Sequence, residues 1–101
     1  MWLVVMFDLP VDTQQARRQY TRFRKALLQD GFSMMQFSVY IRHCASEENT
    51  AVHITRVENS IPPDGEVRIL AITDKQFERM RIFWEKRRKP PEPVPTQLEL
   101  F

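Results

Sequence analysis

Apolar positions recur along the chain with two distinct periods, and the switches between them divide it into elements. Residues 2–7 read WLVVMF, a continuous apolar run closed by Asp8. Such a run predicts a strand, and because Trp2, Val4 and Met6 alternate with Leu3, Val5 and Phe7, both of its faces are apolar. Pro10 ends it. Asp12 with Gln15 three residues on resembles a capping box. Behind it Ala16, Tyr20, Phe23 and Leu27 fall at i, i+4, i+7 and i+11, one stripe of a helix reaching about Asp30. Gly31 supplies the left-handed residue that closes the helix.

The period then becomes two. Residues 32–44, FSMMQFSVYIRHC, are rich in aromatic and β-branched side chains, with Met35, Phe37, Val39 and Ile41 on one side and Met34 and Met35 expected in the core. The stretch exceeds an ordinary strand of ~5–6 residues, so two strands meeting at a bend within residues 36–38 are expected. Ser46 with Glu47 and Glu48 starts a second helix, in which Thr50, Ile54, Val57 and Ile61 repeat the first stripe. PPDG is a turn. EVRILAIT is a further strand, with Val67, Ile69 and Ala71 facing one way and Leu70 and Ile72 the other.

Strand, helix, strand, strand, helix, strand is the order of an α+β, ferredoxin-like fold: a four-stranded antiparallel sheet with two helices on one face. That arrangement leaves the other face bare, although the first strand is apolar on both, so a second copy is expected to cover it. The chain is expected to be a homodimer. Beyond the fourth strand DKQFERM predicts a helical turn and RIFWE a short extra C-terminal strand, whose Phe83 and Trp84 are candidates for the dimer interface. Residues 1–86 thus form the domain. Residues 87–101 form a basic, then proline-rich tail in which PPEPVPT is a stiff spacer. It ends in QLELF, whose apolar Leu98, Leu100 and Phe101 suit a docking peptide.

With 101 residues, 43% hydrophobic and 28% charged, the chain has the composition of one small globular domain. It carries no apolar run of ~18 residues and no basic stretch ahead of its amino-terminal strand, so a cytoplasmic protein without a membrane segment is expected. A lone Cys44 fits a reducing compartment. The net charge is only +2, but its distribution is uneven. Between residues 16 and 27 stand Arg17, Arg18, Arg22, Arg24 and Lys25 with no acidic residue, and residues 86–89 are a second basic block. The apolar stripe of the first helix points Arg18, Arg22 and Lys25 away from the core, with Arg17 and Arg24 on a flank. Such a ridge either keeps the protein soluble or follows a nucleic-acid backbone without reading its bases.

Asp8 is the residue whose chemistry is open. A carboxylate closing an apolar strand calls for a backbone turn, an arginine or a metal ion; as a hard oxygen donor it suits Mg²⁺, which takes one or two protein carboxylates and keeps several waters. Twofold pairing near the strand ends would bring two copies of Asp8 to one ion. His43 and His53 have no zinc-like spacing and read as structural. With two glycines in all, the chain holds no glycine-rich phosphate loop.

VVMFDLP followed by a basic helix, then DGFSMMQFSVYIRHC, then GEVRILAITDKQF, resembles the family of CRISPR-associated protein two, the small subunit of the spacer-acquisition machinery, over residues 1 to about 85. The resemblance implies a homodimer that bridges two dimers of the CRISPR integrase and holds the middle of a double-stranded DNA fragment. It also implies an Mg²⁺-dependent endonuclease on RNA or DNA, with Asp8 as catalytic residue and metal ligand and with Phe37 and Ser38 shaping the site. Arg17, Arg18, Arg22 and Lys25 are the candidates for DNA phosphates. A free-standing, toxin-like metal endoribonuclease is the alternative. QLELF resembles the peptide by which bacterial proteins bind the replication sliding clamp, with Gln97, Leu98, Leu100 and Phe101 matching; the integrase is the other candidate recipient.

Overall fold

The structure, a computed structural model, describes residues 1–95. Among these the order is β1 (Trp2–Asp8), α1 (Gln14–Gln29), β2 (Ser33–Gln36), β3 (Val39–His43), α2 (Glu47–Glu58), β4 (Glu66–Ile72), α3 (Asp74–Glu78), β5 (Ile82–Trp84) and β6 (Arg87–Lys89). The main sheet is antiparallel throughout, in the order β2-β3-β1-β4. This is the ferredoxin-like fold. No helix among the described residues is long and apolar enough to cross a membrane.

The odd residues of β1 face the helices. Leu3, Val5 and Phe7 pack with Tyr40 of β3, Phe23 and Leu27 of α1 and Val57 of α2, joined by the half-buried Tyr20, Ile54, Val67 and Ile69. Phe7 anchors this layer, edge-on to Phe23 with ring centroids 5.1 Å apart. The capping box expected at Asp12 is not formed. Thr13 caps α1 instead, its hydroxyl accepting from the Ala16 amide at 3.0 Å; with Ala16 at the third helical position, no side chain returns the bond.

The stripe of α2 also differs from expectation. His53 is buried and Ile61, past the end of the helix, is exposed. His53 Nδ1 lies 2.7 Å from Asp30 Oδ2, and the Arg56 guanidinium donates to Asp30 Oδ1 at 2.9 Å. A carboxylate at the C-terminus of α1 opposes the helix dipole, and these two partners offset it while joining α1 to α2. Gly31 follows with φ +88°, as expected.

The second face of the sheet is not bare. The chain folds α3 back over it, so that Phe77, fully buried, stacks on Trp2 with centroids 4.2 Å apart. Val4 and Ile41 complete this smaller core, with Met6, Met35, Val39, Ile72 and Met80 partly buried around it. Thr73 supports α3 through a complete capping box with Gln76. Cover is incomplete: Leu70 stays exposed on β4, an edge strand among the described residues. Met34, expected inside, is exposed too, but on the helical face, since it pairs with Tyr40 at the edge strand β2.

The extra C-terminal strand is one half of a hairpin. β5 pairs with β6 in a separate two-stranded sheet, so Arg87–Lys89, expected in the tail, are strand. Both turn residues, Glu85 and Lys86, have positive φ, the backbone twist that two-residue hairpins require. Phe83 and Trp84 are exposed. Residues 90–95 carry neither helix nor strand. The docking peptide Gln97, Leu98, Leu100 and Phe101 lies outside the described residues.

Candidate functional site

Asp8 ends β1 on the face opposite α1 and α2, since side chains alternate along a strand and Leu3, Val5 and Phe7 take the helical side. The carboxylate is exposed and makes no hydrogen bond or ion pair within the described residues. The partner that its position called for is therefore neither a turn nor an arginine. Water meets the need, because the last residue of β1 stands clear of the apolar run before it.

Its surroundings come from two neighbours. On one side the β1–β4 ladder sets Glu66 directly opposite Asp8, and Gly65 comes so close that a Cβ there would lie 2.7 Å from the Asp8 carbonyl oxygen. Glu66 Oε1 accepts from Arg68 Nε at 2.6 Å. That hydrogen bond, and then the charge behind it, raise the Arg68 pKa above its ordinary value. Arg68 pairs with Met6 and so shares the face of Asp8.

On the other side the β2–β3 connection is a two-residue turn, with Gln36 paired to Val39. Ser38 takes φ +61° in the position that a type II turn usually gives to glycine. Its carbonyl accepts from the Phe7 amide at 3.0 Å, which holds the turn against β1 one residue before Asp8. Continuing the β1–β3 register brings Phe37 abreast of Asp8, with its ring 83% exposed. Phe37 is therefore a turn residue and not part of the apolar row with Met35, Val39 and Ile41, because a register shift between Met34 and Gln36 interrupts the alternation.

The basic ridge lies elsewhere. Arg17, Arg18, Arg22 and Lys25 line a shallow groove along the outward side of α1, with Gln14, Thr21, Ala26 and Gln29 between them. Arg17 also donates to the Val11 carbonyl at 3.1 Å, and Arg24 to the Tyr40 hydroxyl at 3.0 Å, which takes Arg24 out of the ridge. The structure thus brings Asp8, Phe37 and Ser38 together at one end of the sheet and sets the α1 cations on the far side of the helix layer. Sequence reasoning missed Glu66 and Arg68. Their spacing of two was visible, but only the β1–β4 register makes them neighbours of Asp8.

His43 and His53 are structural. His43 Nε2 lies 3.1 Å from Asp74 Oδ1, which also accepts from the amino-terminal ammonium at 2.9 Å. Among the described residues no group of three or more His, Cys, Asp or Glu is placed to hold a metal ion. A single exposed carboxylate fits Mg²⁺ better than the borderline-soft metals, which take nitrogen and sulfur ligands.

A family model, CRISPR associated protein Cas2, matches residues 1–80, the span from β1 through α3. The chain is 56% identical over its full length to the CRISPR-associated endoribonuclease Cas2 of Parvibaculum lavamentivorans, itself covered completely. It is 50% identical to the protein of that name from Flavobacterium psychrophilum, with all of this chain and 88% of the relative covered. For the one from Paracidovorax avenae the identity is 48%, over all of this chain and 94% of the relative. The matched span takes in the strand that ends in Asp8, the basic helix and β4, and with identities of this size over the full length the chain belongs to the CRISPR-associated Cas2 family.

Proposed function

We propose that two copies of this chain pair to bridge the CRISPR integrase and hold double-stranded DNA for spacer acquisition, and that Asp8 gives the pair Mg²⁺-dependent phosphodiesterase activity. The observation that carries this reading is the bare Asp8 carboxylate at the strand end, beside Arg68 and on the incompletely covered face of the sheet. A second copy meeting that face would cover Leu70 and bring a second Asp8 alongside the first.

Each group has a distinct task. Asp8 would hold the ion, together with the Asp8 of the other copy. Arg68, steadied by Glu66, draws a phosphate toward that carboxylate, and a guanidinium matches two phosphate oxygens at once. When bound, Mg²⁺ supplies an acidified water and neutralises charge on the phosphate. Phe37 and Ser38 bound the site on the β2–β3 side. The α1 row of Arg17, Arg18, Arg22 and Lys25 attracts a duplex backbone by charge and reads no bases. Because that row and Asp8 lie on opposite faces of the sheet, holding a duplex and cutting a strand are separable, which favours a scaffold that keeps a hydrolytic site.

Asp8→Asn tests the separation. The variant is expected to lose at least ~10²-fold in cleavage rate, the scale on which removing one preorganised electrostatic contact slows a reaction, while spacer acquisition in cells continues. Undiminished cleavage would refute the role of Asp8, and loss of acquisition with DNA binding intact would refute the scaffold.

The endoribonuclease name of the relatives favours a second reading, a free-standing metal endoribonuclease. Under it the isolated chain cuts single-stranded RNA faster than duplex DNA, and acquisition stops together with cleavage in the Asp8→Asn variant. For the carboxyl-terminal peptide, removal of residues 97–101 followed by separate pull-downs of sliding clamp and integrase identifies the recipient.

A further inference from the structure

The basic row on α1 is one bank of a wider polar surface. Its groove shares Arg22, Ala26 and Gln29 with two clefts that run between α1 and the end of α2. The first, of about 390 Å³, has Gln19, Arg22, Phe23 and Ala26 on its α1 side and residues 59–63 on the other. The second, of about 340 Å³, continues past Ala26, Asn59 and Ser60 to Asp30 and Arg56. Both lie on the helical side of the sheet, away from the face that a second copy would cover.

The far wall of these clefts carries the side-chain types that bind phosphate. Among the described residues Asp30 is the one acid lining either cleft, and its two oxygens are already taken by His53 and Arg56. Arg56 engages only Nη1 in that pair. Its side chain is 62% exposed, and a guanidinium has five N–H donors, so most of its donors face water. Asn59, the C-cap of α2, is exposed beside it. The Ser60 hydroxyl donates to the Arg56 carbonyl at 2.8 Å, which fixes this corner against the last turn of the helix. Neighbouring helices pack ~8–10 Å apart, a span that matches two phosphate rows flanking a minor groove ~6 Å wide.

We propose that Arg56 and Asn59 take phosphates of the second strand of a DNA duplex whose first strand follows Arg17, Arg18, Arg22 and Lys25, with the minor groove over the clefts between them. The inference rests on the proposed duplex-holding role and deepens it by naming what selects a duplex. A single strand meets one bank only. An RNA duplex, whose minor groove is wide and shallow, sets its two backbones too far apart to meet both.

The test measures anisotropy of a short labelled DNA duplex, its single strand and the RNA duplex of the same sequence over a range of salt. The full chain is used without divalent ion, so that nothing is cut. The parent is expected to bind the DNA duplex about tenfold more tightly than the other two. Arg56→Gln should weaken duplex binding about tenfold and lower its slope on log salt by about 0.9, with single-strand affinity unchanged. Asn59→Asp, which sets a carboxylate in the same bank and leaves the Asp30 pair intact, should weaken the duplex alike, so a folding defect in Arg56→Gln does not decide the outcome. Equal affinity for the three nucleic acids overturns the inference, as does a loss of equal size on the single strand. Integrase capture that fails in Asn59→Asp with duplex affinity intact overturns it too, because the bank would then face a protein. Duplex binding that depends on Arg22 and Lys25 but on neither Arg56 nor Asn59 sinks this inference alone, whereas absence of duplex binding by the parent sinks the proposed function with it.

Discussion

Replacing either glycine by alanine separates the general strain of a left-handed position from the particular crowding beside Asp8. Gly31 and Gly65 have nearly the same φ, +88° and +92°, so each substitution carries a similar backbone strain of about 1–3 kcal/mol, reduced by the lower unfolded-state entropy of alanine, about 0.4–1 kcal/mol. They differ in what the new methyl meets. At Gly31 it approaches the Arg42 guanidinium at 3.1 Å, the far end of a flexible side chain. At Gly65 it meets the Asp8 carbonyl oxygen and Leu9 Cδ2, both at 2.7 Å, and Leu9 Cα at 3.0 Å. Two of these atoms are backbone, and overpacking of this kind adds about 1–3 kcal/mol. Gly65→Ala is therefore expected to lose about 1–3 kcal/mol more than Gly31→Ala, a sizeable part of the ~5–15 kcal/mol that holds a domain together. Urea unfolding of the two variants side by side measures the difference, provided the slopes stay equal. Because the displaced atom is the carbonyl of Asp8 itself, Gly65→Ala should also lower cleavage per folded molecule. Equal midpoints for the two variants would refute the close approach of the β4 entrance to Asp8.

Phe77→Ala removes the buried ring that α3 stacks on Trp2 and is expected to destabilise by about 3–5 kcal/mol; a thermal melt within ~1 kcal/mol of the parent would mean that α3 does not seal the second face. The Asp74 carboxyl is held below its usual range first by the hydrogen bond from the amino-terminal ammonium, against the opposing effect of burial. Its folded pKa therefore lies under the ordinary value of 3.8, so the stability it adds is complete above that pH and vanishes as pH falls through the folded value. With the side chain 40% exposed, the contribution is screened to under ~1 kcal/mol, and the stability profiles of the parent and Asp74→Asn should converge in acid and separate toward pH 7. Arg22→Glu with Lys25→Glu should weaken duplex binding and flatten its dependence on log salt by about two units, near 0.9 per lost phosphate contact, with cleavage of a short single strand retained; an unchanged slope would remove α1 from the duplex surface.

The sequence by itself determined the order of the main elements, because each stripe is a local matter of period and punctuation. The 3.6-residue rows on α1 and α2, the doubled apolar run of β1 and Gly31 as a helix end are all legible without a fold. It also singled out Asp8, which breaks an apolar run, and the acid-free row from Arg17 to Lys25. What it left open depends on contacts between residues far apart in the chain. Thr13 rather than Asp12 caps α1 because of how the loop after Pro10 presents its hydroxyl. The second face is partly filled because α3 turns back and sets Phe77 on Trp2, a pairing across most of the chain. Glu66 and Arg68 become neighbours of Asp8 only through the β1–β4 register, and a one-residue slip there would send both to the other face. The separation of Asp8 from the arginine row was likewise invisible in one dimension. Alternation decides which side of its own strand or helix a residue takes, and only the packed layers decide which sides end up together.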